Sequence, residues 1–331
     1  MIRNLLLALL ATVVVAVTLA ALALRDNPAR SAVGETRVAD NHGAQIRYVI
    51  SGPANAPLVP LLASFARSAS DFNELVLALN AAGYRTLALQ ARGVEGSDLP
   101  SMRPSLFDYA GDLAAALDAE RVTGRVVLVG HAYGNRIARA FASRYPQRVD
   151  SLVLLAAGDS APPPETRDAI MTVLLQVWPE TTRRRALQKA FFANGNEAPD
   201  YWLSGWHPRA GLAQAYATAN TPSSQWSGGG DAPMLILQPL HDAAAAEDAQ
   251  VLLQRFPQRV RVIELHGAGH AILPEQPLQV RDAVLQHLRV RIAAPLMPDQ
   301  PNIASSIPMT VAAGVMATAA CMAARGRICS P

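Results

Sequence analysis

Val127-Leu128-Val129-Gly130-His131-Ala132-Tyr133-Gly134-Asn135 is the stretch from which the rest of the chain is read. Residues 126–129 are four apolar residues in a row, as in a strand buried on both faces, and residues 133–145 read as an amphipathic helix. Residues 130–134 are therefore the turn between them. Two glycines in such a turn let strand and helix approach closely enough to hold the middle residue in a strained, exposed conformation. In the pattern G-x-S-x-G that residue is a serine nucleophile. Here it is Ala132, so the backbone that would present a hydroxyl is written out and the hydroxyl is missing.

Two further stretches follow along the chain. Asp242 ends Gln238-Pro239-Leu240-His241-Asp242, and His270 ends Gly267-Ala268-Gly269-His270, each just past an expected strand. Ala132 and Asp242 are 110 residues apart, and 28 more reach His270. Elbow, acid and histidine together resemble the α/β-hydrolase superfamily over about residues 36–291. That resemblance implies a mostly parallel eight-stranded sheet flanked by helices, with a helical cap inserted between the sixth and seventh strands. It speaks more for fold than for reaction.

The resemblance also assigns roles. An imidazole acting as general base needs a carboxylate on its other nitrogen, to fix the tautomer and stabilise the cation that forms. His270 and Asp242 fill those places, although Pro239 stands where glycine is common. Asp159, directly after the preceding strand, is the alternative acid; its plainer reading is a turn or helix cap. The oxyanion hole would use the backbone N–H groups of Tyr133 and of Phe65, the latter in Leu62-Ala63-Ser64-Phe65-Ala66-Arg67. In relatives that loop commonly begins His-Gly. The departure puts Ser64 where a glycine is expected, which makes Ser64, together with His131, a candidate contact for substrate or water. An ordinary loop hydroxyl bonded to backbone is the plainer reading of Ser64, and a displaced nucleophile the weakest.

Composition bounds the rest. With 331 residues, half of them hydrophobic, the chain has ample material for one large domain carrying an insertion. Its 29 Lys and Arg against 26 Asp and Glu leave a net charge of +3, and the arginines are scattered without aromatic interleaving. That pattern makes no case for nucleic acid. No clustered metal-ligand spacing, phosphate-cradling glycine loop or dinucleotide fingerprint is present, so no metal or organic cofactor is expected. Cys321 and Cys329, both in the tail, form neither a disulfide framework nor a zinc site.

Residues 5–24 form an uncharged, largely apolar run of 20 residues behind Arg3. The run is just long enough to span a bilayer, yet it closes on Ala21-Leu22-Ala23, which looks like a cleavage site. A retained anchor and a removed signal peptide both remain open, and either exports the domain to the periplasm, the medium or the outer side of a membrane. The expected organisation is a leader (1–30), core (31–158), helical cap (159–231), core (232–291) and a Pro/Ala-rich disordered tail (292–331). Strands are expected at 36–40, 45–50, 58–62, 85–90, 126–129, 151–157, 234–238 and 259–265. All four tryptophans, Trp178, Trp202, Trp206 and Trp226, fall in the cap segment. They read as the cap's own small core, with an apolar pocket above the elbow as the sharper alternative.

Acyl-enzyme chemistry through position 132 is impossible. One reading is a hydrolase for small apolar esters or related carbonyl substrates, in which His270 and Asp242 activate water directly. A second is a non-catalytic protein of this fold that binds an apolar ligand or a partner outside the cytoplasm. A serine removed on purpose ranks last. The pairing of imidazole and carboxylate tilts toward chemistry. An imidazole bonded to the acid and facing an open pocket would favour the first reading, and a filled pocket the second.

Overall fold

The computed structural model describes residues 2–245 and 248–292; the expected tail beyond them, with Cys321 and Cys329, lies outside the described residues. The chain opens on α1 (Ile2–Ala23) and a hairpin of β1 (Glu35–Asn41) and β2 (Ala44–Ser51). Then follow β3 (Leu58–Leu62), α2 (Asn73–Ala81), β4 (Arg85–Leu89), α3 (Leu106–Ala119), β5 (Val126–His131), α4 (Tyr133–Arg144) and β6 (Val149–Leu155). The insertion carries α5 (Pro164–Leu174), α6 (Glu180–Phe191) and α7 (Pro208–Asn220). The core resumes with β7 (Met234–Pro239), α8 (Asp248–Arg255), β8 (Val260–Leu265), the short α9 (Ile272–Glu275) and α10 (Pro277–Arg291).

The eight strands form one sheet in the order β1-β2-β4-β3-β5-β6-β7-β8. β2 runs antiparallel to both its neighbours, and the pairs from β4 across to β8 are parallel. Helices cover both faces, so the central strands need no polar side. Every residue of β3, β5 and β7 is buried. Strand alternation divides β5 between two cores: Val126 and Leu128 join the cluster under α3 and α4, Val127 and Val129 the cluster under α2 and α10.

A third cluster lies in the cap. Trp202, Trp206, Phe191, Phe192, Val173 and Leu174 pack there against Ala66 and Ala271 from core loops. The tryptophans therefore divide rather than forming one group. Trp226 belongs to the main core, with the Arg139 guanidinium 4.8 Å from its ring, because it lies on the return stem where the chain comes back over α4. Trp178 lies on the surface, 49% exposed.

Candidate active site

The elbow forms as its glycines require. A Cβ on Gly130 would lie 2.6 Å from the Gly134 carbonyl, and one on Gly134 would lie 2.0 Å from the Leu62 oxygen. Only hydrogen fits at either position. Between them Ala132 has φ 49° and ψ −107°, a backbone state that costs a residue with a Cβ roughly 1–3 kcal/mol. Its N–H donates to Leu155 O at 2.9 Å, which ties the turn to β6.

Asp242 and His270 come together at the carboxyl edge of the sheet, one past β7 and one past β8. The His270 Nδ1–H donates to Asp242 at 2.9 and 3.0 Å to the two carboxylate oxygens. Asp242 Oδ1 also accepts the N–H groups of Ala244 and Ala245, each at 2.8 Å. Burial alone would raise the Asp242 pKa, but the imidazole and the two amides together outweigh it and hold the carboxyl below its ordinary value. The acid is thus ionised, and with Nδ1 engaged the imidazole has Nε2 left for other partners.

Phe65 and Tyr133 are brought side by side, their rings 6.2 Å apart edge to face. Tyr133 is the first residue of α4, so its N–H has no acceptor within the helix. Nor, among the described residues, does the Phe65 N–H donate to backbone, whereas the neighbouring Ala66 N–H is taken by Gln214 Oε1 at 2.7 Å. Ser64 is buried in the same loop. Asp159 lies away from the imidazole: it forms an ion pair with the buried Arg139, and its N–H donates to Asp248.

His131 must be corrected as a substrate contact. Strand alternation carries it inward behind Val127 and Val129, and it is fully buried. Its Nε2–H donates to the His270 backbone oxygen at 2.8 Å, so it supports the histidine loop from beneath. Burial first, and then the neighbouring His270, lowers its pKa to about 4. Acid therefore favours the unfolded chain, where the group titrates near its ordinary 6.5. Stability is expected to fall as pH drops from about 6.5 toward 4, by up to about 1.4 kcal/mol per pH unit for one such histidine. His287, lowered to about 4 chiefly by burial, adds a loss of the same sign. Thermal melts across that range check this; an undiminished slope in His131→Gln would sink the assignment.

Glu275 is a residue that reading the sequence passed over. Its Oε2 accepts Gly269 N–H at 2.7 Å, while Oε1 accepts Ala193 N–H at 2.8 Å and the Asn196 side-chain amide at 2.7 Å. One carboxylate thus clamps the histidine loop to the cap. Burial raises its pKa, the three donors notwithstanding. Gly269 makes the approach feasible, since a Cβ there would lie 2.7 Å from Ala193 N and Phe191 O. Over the site, the Phe191 ring lies 5.9 Å from that of His270. Ala132 and His270 keep 7% and 8% exposure, so the opening above the elbow is narrow.

The chain belongs to the alpha/beta hydrolase family, whose model matches residues 42–283. It is similar to epoxide hydrolase 3 of Xenopus tropicalis, 34% identical over 128 residues that make up 38% of this chain and 34% of that protein. The chain spans between about a third and under half of the length of the curated relatives it matches. Among solved structures, an esterase from Rhodococcus sp. ECU1013 has TM-score 0.62 at 24% identity, covering 77% of this chain and 99% of its own. The enol-lactonase from Burkholderia xenovorans LB400 has TM-score 0.64 at 21% identity, covering 76% and 100%. At these identities the structural likeness establishes the fold alone.

Proposed function

We propose that this family member is a hydrolase for small, largely apolar esters or related carbonyl compounds, with His270, oriented by Asp242, acting as general base on water. The hydrogen bond from His270 to an ionised, doubly amide-bonded Asp242 carries this reading. A buried carboxylate beside an imidazole is no efficient source of stability, because desolvation offsets the attraction. Its use is to orient the imidazole. With Ala132 in the elbow, water takes the place of the serine hydroxyl, gives its proton to Nε2 and attacks the carbonyl. The oxyanion that forms is held by the N–H groups of Tyr133 and Phe65, and on its collapse the C–O bond breaks and the imidazolium returns the proton to the departing alkoxide, leaving acid, alcohol and neutral His270. General-base assistance of this kind contributes about a hundred- to ten-thousand-fold, far below what an acyl-enzyme route reaches. No metal or organic cofactor enters the scheme.

A second reading, a non-catalytic protein that binds an apolar ligand or partner, is favoured by the narrow opening beneath Phe191. Turnover of short- and medium-chain esters by the parent chain and by His270→Ala separates the two. Loss of about a hundred-fold or more in kcat, with folding retained, supports base catalysis; equal background rates would leave the binding role. In either case α1 acts as an exporting or anchoring segment, a reading supported by one helix, residues Leu6–Ala23, apolar and long enough to cross a membrane.

A further inference from the structure

The end of α1 is bonded straight into the cap. Leu24 and Arg25 close the helix by donating back to Ala20 and Leu22, and the Ala23 oxygen accepts the N–H of Gln176 at 3.2 Å. At Asn27 the chain pairs with the cap in both directions, donating to Trp206 O at 3.0 Å and accepting from Gly205 N–H at 2.7 Å. The Asn27 side-chain amide adds a bond to Leu203 O at 3.0 Å. Further on, Ala29 N–H donates to Glu95 at 2.9 Å, and the Arg30 guanidinium lies 3.8 Å over the Tyr201 ring. No slack separates the helix from the folded domain.

Gln176 is the second residue of the loop between α5 and α6, and the next two residues, Val177 and Trp178, are both exposed. The other three tryptophans are at most 2% exposed. Trp178 thus presents a large amphipathic ring to the surroundings at one place, two residues from the bond to the end of α1.

Lengths then fix the level at which that ring lies. The 22 residues of α1 rise about 33 Å at roughly 1.5 Å per residue, against a hydrocarbon layer about 30 Å thick. With α1 in a bilayer, its last turn sits among the headgroups. The bond from Gln176 to Ala23 holds the Gln176 backbone at that level, and two residues of extended chain reach only about 7 Å. Tryptophan favours this depth, with its ring against the acyl boundary and its N–H in the polar layer.

The geometry points to the cap loop of Val177 and Trp178 as a membrane-docking surface, whose partner is the bilayer that holds α1. The assignment rests on reading α1 as a retained anchor. It adds a second point of contact, which turns a tether into a fixed orientation with the cap against the lipid. Behind the loop, Val173 and Leu174 pack in the same cluster as Ala271, the neighbour of His270.

The test reconstitutes the full chain into phosphatidylcholine–phosphatidylglycerol vesicles containing brominated phosphatidylcholine and follows quenching of tryptophan emission. Expected is a chain that floats with the vesicles and is quenched, while Trp178→Phe floats and melts like the parent but loses most of the quenching. A floating chain whose quenching is absent, or unchanged in Trp178→Phe, overturns the docking surface and leaves the anchor intact. A chain that fails to float, with its N-terminal sequence beginning after Ala23, overturns the anchor and the docking surface with it.

Discussion

Ala132→Ser is expected to raise ester turnover by about a thousand-fold or more. Removing the serine from a working triad costs on the order of a million-fold, and what survives comes from oxyanion stabilisation and binding. The substitution adds one oxygen to a Cβ that Ala132 already carries at φ 49°, so it brings no new backbone strain. The recipient imidazole is already oriented by Asp242. kcat/KM on a short-chain ester, with stoichiometric labelling by a phosphonate ester, measures the gain. A variant that melts like the parent yet stays inert and unlabelled would mean that position 132 and the imidazole are not in register.

Gly134→Ala is expected to do the opposite and destroy the fold's centre. Helix propensity alone favours alanine here by roughly 1 kcal/mol. Sterics decide against it, because the new Cβ would lie 2.0 Å from Leu62 O, 2.5 Å from Leu62 C and 2.8 Å from Ala63 O. Those atoms are backbone at the end of β3, in register with Gly130 on β5, and they cannot retreat without parting the two strands. A loss of about 3 kcal/mol or more follows from such overpacking, read as a collapse in soluble yield or melting temperature. Gly124→Ala is the control, since a Cβ there meets nothing within 4 Å. Equal melts for both variants would contradict the close strand–helix contact.

The parts of this molecule legible in the sequence are those that local chemistry specifies. Gly130 and Gly134 announce the elbow because no other residue fits, and the alternation of apolar runs with helical periods gives the parallel sheet. Asp242 and His270 are legible as a pair through the resemblance to the α/β-hydrolase family, each standing just past a strand of the sequence pattern. His131 was legible too, since the period of β5 places it with Val127 and Val129, but its residue type suggested chemistry. What stayed hidden depends on distant partners. Nothing near Glu275 says that it will receive Gly269 and Ala193 together, and nothing near Trp226 says that it will lie over Arg139 instead of among the cap aromatics. Periodicity decides which side of an element faces inward; it does not decide which layer will meet it.

Arg139 has a bearing on motion. Its buried guanidinium donates to Asn135 on its own helix, to Gly158 O on the chain leaving for the cap and to Ser227 O on the chain coming back, and it is paired with Asp159. Both stems are thus fastened to one side chain, with Arg136 adding bonds to Gly158 O and Ser160 O. A lid that swung as a rigid door would have to break all of these at once and strand a charge in the protein interior, a cost of about 3–5 kcal/mol from the charge alone. Rigid-door motion of the whole insertion is thereby opposed, because both of its stems are held by arginines of α4.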